Sequence, residues 1–313
     1  MLFIVALVIN EIILSLIIGF PKYGVEKKVM GIRKSEGGIQ NVYKPYSEFW
    51  NVEGGNKVFK RNNLGLPGAD VKINDSSKLI YVLGDSYVEA SQYSPDSIAT
   101  SIFKNNLDSI YANNKLCVIN LGCSGHDPYD LFFRSKYFES IYKPDYVLLV
   151  LNRDFSDWLV RHKKPFNFTI DDNSFQSVNS NIMQIIMFCR NNSALFNLFV
   201  ESNKKDVDKT IADVSESNTK KVENNFNNKD YSDLFEVLGR FNESYNNFLV
   251  ISIVTDEGFN LELEKFASGK NIKLTCENLI KPDYLIKGKG HLNIEGNREL
   301  GNLLTSAYVK NFQ

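Results

Sequence analysis

From Lys78 onward the chain alternates in a way that leaves few folds open to it. Short apolar runs, KLIYVLG, KLCVINLG, DYVLLVLN, NFLVISIVT and NIKLTC, read as strands. Between them lie segments with helical spacing: PDSIATSIFKNNLDSIYA, DPYDLFFRSKYFESIY, YSDLFEVLGRFNESY and NLELEKFASG. Asp127 and Pro128 supply an N-cap and a first helical position for the second of these. DYVLLVLN is apolar almost throughout, as a strand covered on both faces should be. A last helix is expected from about Ile294 to Lys310. Repeated strand–helix units imply a parallel sheet with helices on both faces, a three-layer α/β sandwich. Ligands of such sheets bind beyond the carboxyl ends of the strands. Ser86, Gly125 and Asn152 all fall just after strand segments and so share that edge.

The first strand ends in Gly84-Asp85-Ser86. A serine placed there, after a glycine that permits a tight turn, can project its hydroxyl into a cleft. Backbone N–H groups of a helix starting nearby can stabilise an oxyanion. The same tripeptide also occurs in plain turns, where Ser86 would only cap the chain. A serine nucleophile needs a base, and the chain has three histidines, His126, His162 and His291. His291 lies in GKGHLNIEGNREL, a glycine-flanked loop feeding the final helix, from which an imidazole can reach another loop. His126 follows Gly125 and borders the same edge, while His162 sits in the basic, surface-like run VRHKKP.

Other chemistries find little support. The net charge of −1 gives no footprint for nucleic acid. The four cysteines form no CxxC pair and have no histidine cluster beside them, so they read as core residues and imply no metal. No glycine-rich phosphate cradle follows the first strand, and no cofactor is implied.

The amino terminus, MLFIVALVINEIILSLIIGF, is apolar apart from Asn10, Glu11 and Ser15. A mid-membrane acid costs about 3 kcal/mol on insertion scales, and the Leu, Ile, Val and Phe residues around it offset that. Residues 1–21 therefore read as a transmembrane anchor, with a buried core helix as the other reading. Lys22, Lys27, Lys28, Arg33 and Lys34 follow it, and by the positive-inside rule they would hold the body in the cytoplasm. Residues 22–75 read as a linker and irregular lead-in, and 76–313 as the α/β domain. An insertion at about 155–230 contains a helical-looking stretch, SNIMQIIMFCRNNSALFNLFV, and a long polar excursion.

In order along the chain, VLGDSYVEA, NLGCSG, VLLVLNRDFSD and HLNIEGN resemble the four motif blocks of the SGNH/GDSL hydrolase superfamily. NNLGLPG at Asn62–Gly68 and an apolar amino terminus carrying a glutamate resemble its membrane-anchored bacterial members. The resemblance implies an SGNH/flavodoxin-like fold and a serine acyl-ester hydrolase or O-acyltransferase. Its substrate would be an acylated, most simply acetylated, carbohydrate or lipid alcohol, and its body would lie outside the cytoplasmic membrane. It casts Ser86 as nucleophile, His291 as general base, and the Ser86 and Gly125 N–H groups with the Asn152 side chain as oxyanion donors. Two departures stand out. Arg153 occupies the position expected of the oxyanion asparagine, with Asn152 one residue early. The acid expected two or three residues before the histidine is replaced by Gly288 and Lys289, leaving Asp283 or Glu295 as candidates to orient His291. A catalytically inactive descendant that binds glycan or an assembly partner is the alternative these departures motivate.

Overall fold

The computed structural model describes residues 2–17, 25–31, 39–51, 57–111, 115–155, 175–177, 230–286 and 290–313, and scattered positions between 185 and 199. Helix α1 (Leu2–Ile12) continues as a π turn through Ile17. The transmembrane helix expected over 1–21 is thus helical where it is described. Among the described residues, however, no helix is long and apolar enough to cross a membrane. The 11 and 5 described residues rise about 24 Å, against a hydrocarbon core of about 30 Å.

The described part of 22–75, expected as a linker and irregular lead-in, carries two antiparallel strand pairs. Strand β1 (Val25–Gly31) pairs antiparallel with β2 (Ile39–Tyr43), and β3 (Glu48–Asn51) pairs with β4 (Lys57–Lys60). The loop after β4 is tied together by amide side chains. Asn62 Oδ1 accepts from the N–H groups of Leu64 and Leu66 at 2.9 and 3.0 Å, and its Nδ2 donates to the Ala69 carbonyl at 3.1 Å. Asn63 exchanges two bonds with the Val71 backbone. Order of this kind comes from side chain to backbone bonds and leaves no hydrophobic repeat to read. Leu66, carried on this loop, is buried in the core.

The central sheet contains β5 (Lys78–Leu83), β6 (Leu116–Asn120) and β7 (Tyr146–Leu151). Between β7 and the rest of that sheet comes β8 (Phe175–Ser177), which pairs with β1 and so joins the insertion to the lead-in. β9 (Phe248–Ser252) and β10 (Lys273–Cys276) complete the central sheet, in the order β10-β9-β7-β5-β6 with every pair parallel. The chain starts at β5, steps out to β6, then returns to β7 and continues the other way. The reversal between β5 and β7 is the point at which such sheets bind ligands.

The helices are α2 (Ser86–Glu89), α3 (Ala99–Ile110), α4 (Pro128–Glu139), α5 (Ser232–Ser244), α6 (Glu257–Lys270) and α7 (Ile294–Phe312). On one face of the sheet Phe132, Phe241, Phe259 and Leu263 cover Tyr81, Leu83, Leu149 and Val250. On the other, Phe103, Leu107, Leu304 and Tyr308 cover Ile80, Val82, Leu148 and Ile251. Successive β5 residues thus enter opposite layers, as the pleat requires. Full burial of each such side chain stabilises the fold by about 1.5–3 kcal/mol. Asp127 caps α4 reciprocally with Asp130, and Pro128 follows it at the first helical position. α3 starts later than its Pro-Asp signal suggested. Pro95–Ser97 form a separate 3-10 turn, Ile98 is extended and fully buried, and the first α3 N–H, on Ala99, donates to Asn297 Oδ1 of α7 at 3.2 Å.

Candidate active site

The chain leaves β5 at Leu83 and enters the four-residue helix α2 at Ser86. Asp85 is its N-cap: Oδ1 accepts from the Tyr87 N–H at 3.0 Å. The other carboxylate oxygen, Oδ2, accepts from Asn152 Nδ2 at 2.9 Å and from the Arg153 guanidinium at 3.0 Å. Both donors come from the end of β7, across the switch point. Asn152 and Arg153 both turn toward the residue preceding Ser86. The guanidinium lies over the Phe155 ring, 5.1 Å from its centroid, and stays 41% exposed while the Asp85 side chain is 3% exposed.

Ser86 Oγ lies 3.0 Å from His291 Nε2. Two residues 205 positions apart thus meet at hydrogen-bonding distance. The histidine loop is held on both sides. The Ile286 N–H donates to the His291 carbonyl at 2.7 Å, and the Asn293 N–H to the Tyr284 carbonyl at 2.8 Å. Leu285 and Leu292 form an antiparallel bridge between these bonds. A third tie comes from α2: Tyr87 Oη donates to the Gly290 carbonyl at 2.6 Å, and its ring meets the imidazole edge-on at 6.3 Å. Burial chiefly, with Asp85 nearby, raises the Tyr87 phenol above its ordinary value, so it remains a donor.

α2 also grips the loop after β6. Glu89 Oε2 accepts from the Ser124 N–H at 2.8 Å and from the Ser124 hydroxyl at 2.5 Å. Oε1 faces Arg61 of the lead-in at 3.8 Å, and that guanidinium stacks on Tyr43 at 3.4 Å. Asn120 Nδ2 donates to the Val88 carbonyl at 2.8 Å, and its Oδ1 accepts from the Gly122 N–H at 2.8 Å. At Gly122 only glycine fits, because a Cβ would lie 2.3 Å from the Glu89 backbone nitrogen. Gly125, exposed and left-handed at φ +80, follows directly on Ser124. Burial pushes the Cys123 thiol up to about 12, which keeps it protonated and weak as a nucleophile.

The acids proposed from sequence lie elsewhere. Asp283 is exposed in a 3-10 turn (Pro282–Tyr284), and its contact is through its backbone carbonyl, which accepts from Asn293 Nδ2 at 2.6 Å. Glu295 pairs with Arg298 at 2.6 Å on α7. His126 is half-buried on the Gly125 loop, and His162 lies outside the described residues. A cavity of about 380 Å³, lined by Pro67, Thr100, Lys104, Cys117 and Asn120 among others, opens beside β6, and neither Ser86 nor His291 lines it.

Sequence reading missed the gripping residues: Asp85 toward β7, Tyr87 toward the histidine loop, and Glu89 with Arg61 toward Ser124. A usable signal was present. Asp85 and Glu89 are acids inside an otherwise apolar strand–helix junction, and buried acids imply partners.

Fold and site together define a three-layer α/β protein with a serine–histidine pair at the switch point of a parallel sheet. No protein-family model and no curated protein sequence matches the chain. Among solved structures it is similar to the esterase EstA from Pseudoalteromonas sp., at 12% identity and TM-score 0.41, covering 75% of this chain and 96% of that one. An acetylxylan esterase from Geobacillus stearothermophilus matches at 13% identity and TM-score 0.41, over 77% and 95%. A putative lipolytic protein of the G-D-S-L family from Desulfitobacterium hafniense matches at 10% identity and TM-score 0.40, over 74% and 99%.

Proposed function

We propose that the protein is a serine acyl-ester enzyme of the SGNH/GDSL type. It removes acyl groups, acetyl most simply, from a carbohydrate or lipid alcohol, or transfers them to one. The observation that carries this reading is the 3.0 Å contact between Ser86 Oγ and His291 Nε2 at the switch point. Ser86 Oγ attacks the ester carbonyl as Nε2 takes the hydroxyl proton. The tetrahedral intermediate collapses to acyl-Ser86, and the same proton leaves with the departing alcohol. Water then releases the acid, or an acceptor alcohol takes the acyl group, with His291 again accepting the attacker's proton. Charge on the carbonyl oxygen falls to the Ser86 N–H, which α2 leaves open as its first helical donor. The Gly125 N–H and the Asn152 amide, anchored by Asp85, are the further donors. One such donor is worth about 3–4 kcal/mol of barrier. α1 anchors the body to a membrane, where acylated envelope glycans or lipids would be met.

A fluorophosphonate probe tests the chemistry. The wild type should be labelled and Ser86→Ala should not. His291→Ala should react slower by roughly 10²–10⁴-fold, the range for a lost general base. An unlabelled wild type would leave the cleft as a binding site and end the enzymatic reading.

A further inference from the structure

Residues 3–10 of α1 are exposed without interruption, about two full turns, so within the described structure the protein covers no face of this apolar stretch. Phe3, Val8, Ile9 and Leu16 are among the exposed side chains. A helix that docks on a protein buries one stripe, whereas one that is apolar all round calls for an apolar medium. Both polar side chains of α1 hydrogen-bond within the protein. Asn10 Nδ2 turns back to the Ala6 carbonyl at 2.9 Å. Glu11 accepts four hydrogen bonds, from Ser15 Oγ, Ser193 Oγ and the Ala194 N–H, each at 2.8 Å, and from the Leu195 N–H at 3.0 Å. A carboxylate offers about four lone-pair sites, so little is left for water to solvate.

Three of those four donors belong to the insertion, more than 180 positions away along the chain. Around them the pattern of α1 recurs. Ile185, Phe188 and Phe199 are exposed. Asn192 Nδ2 bonds back to the Phe188 carbonyl at 2.8 Å, and Ser193 Oγ accepts from the Phe196 N–H at 3.0 Å.

We propose that the described residues between 185 and 199 enter the lipid bilayer beside α1, docked on it through Glu11, so that the anchor is a two-segment unit. The proposal rests on the membrane-anchor reading above. The occupant of the surface is lipid, because exposure runs unbroken through residues 3–10, about two turns, and because Lys22, Lys27 and Lys28 follow the helix in sequence, suited to anionic headgroups. Glu11 then acts as the joint: its charge enters an apolar medium only together with the donors of the second segment.

The chain supplies its own probe site in Cys189, part-buried beside Phe188, and a control in Cys276 on β10. The full chain is reconstituted in phosphatidylcholine–phosphatidylglycerol vesicles with brominated acyl chains, and a bimane is attached at one cysteine at a time. With Cys117 and Cys123 buried and out of the reagent's reach, the label sits at Cys189 in a Cys276→Ser chain, at Cys276 in a Cys189→Ser chain, and at position 9 in an Ile9→Cys chain lacking both. Bromolipid should more than halve emission at 189 and at 9 and leave 276 unchanged. Glu11→Ala should abolish quenching at 189 while retaining it at 9, and Glu11→Gln, which keeps one acceptor oxygen, should retain part at 189. Quenching at 9 without quenching at 189 overturns the proposal and leaves the anchor standing. Quenching at neither overturns both, including the case where the chain self-associates through this surface. Unaltered quenching at 189 in Glu11→Ala overturns the docking role of Glu11.

Discussion

The edge around Ser86 and the segment around Glu11 use the same device in opposite surroundings. In each, a carboxylate gathers donors from chain far away. Asp85 holds Asn152 and Arg153, Glu89 holds Ser124 and faces Arg61, and Glu11 holds the backbone at 194 and 195. Around Asp85 the apolar neighbours, Leu83 and Val88, are buried under the protein's own layers. Around Glu11 they face outward, as Ile9 and Ile12 do. In both places a carboxylate joins distant segments, and the apolar residues beside it are buried in one and exposed in the other.

The comparison breaks most visibly at Asp85. Asp85→Ala removes the α2 cap, at about 1 kcal/mol, and takes their shared carboxylate from the two β7-end donors, at about 1–3 kcal/mol. The partial exposure of Arg153 lets water relieve some of that second cost. If Asn152 serves the oxyanion, its loss of anchorage should lower ester turnover by up to roughly 10²–10³-fold. Asp85→Asn keeps an acceptor for the Tyr87 N–H and should recover stability more than turnover. Urea midpoints and kcat measured together check this. Turnover unchanged in Asp85→Ala would remove Asn152 and Arg153 from the site's machinery.

Glu89 sharpens the same point. Glu89→Ala removes the carboxylate that faces the buried Arg61, a class of change that costs about 3–5 kcal/mol, here toward the lower end because the pair is 3.8 Å apart and Arg61 also stacks on Tyr43. Glu89→Gln retains an acceptor for Ser124. If Glu89 works by holding the Gly125 loop, the Gln variant should lose stability yet keep most of its turnover, and the Ala variant should lose both. Equal losses of turnover in the two would point to the charge itself.

These carboxylates also show where sequence reading reached and where it stopped. The five strands of the parallel sheet were legible because each is a short apolar run between turn residues, and Asp127-Pro128 announced α4 by its capping chemistry alone. Ser86 and His291 were legible as motif residues at a strand end and in a glycine-flanked loop. The tie from Asp85 to Asn152 was not, because a one-residue displacement in the motif says nothing about which side chains turn inward at a strand end. Asp283 was chosen for its nearness in sequence, but the 3-10 turn presents it to solvent. Residues 22–75 read as a linker and irregular lead-in because the loop after β4 is organised by Asn62 and Asn63 without any apolar period. The link from Glu11 to Ser193 spans most of the chain and follows from no local pattern.

The smallest of the expected effects is at Tyr87, and it isolates the histidine loop from the rest. Tyr87→Phe keeps the ring that meets His291 edge-on and deletes only the donor to the Gly290 carbonyl. One such bond contributes about 1 kcal/mol, hence about a five-fold change where it is felt. If the bond positions the imidazole against Ser86, the change should appear in kcat with KM unaltered, and the fluorophosphonate labelling rate should fall by the same factor. The urea midpoint of the body should scarcely move, because His291 is also held by the Ile286 N–H and the Leu285–Leu292 bridge. A loss of stability with labelling and kcat intact would make Tyr87 a strut of the fold, and the loop's aim at Ser86 would then rest on its own backbone bonds.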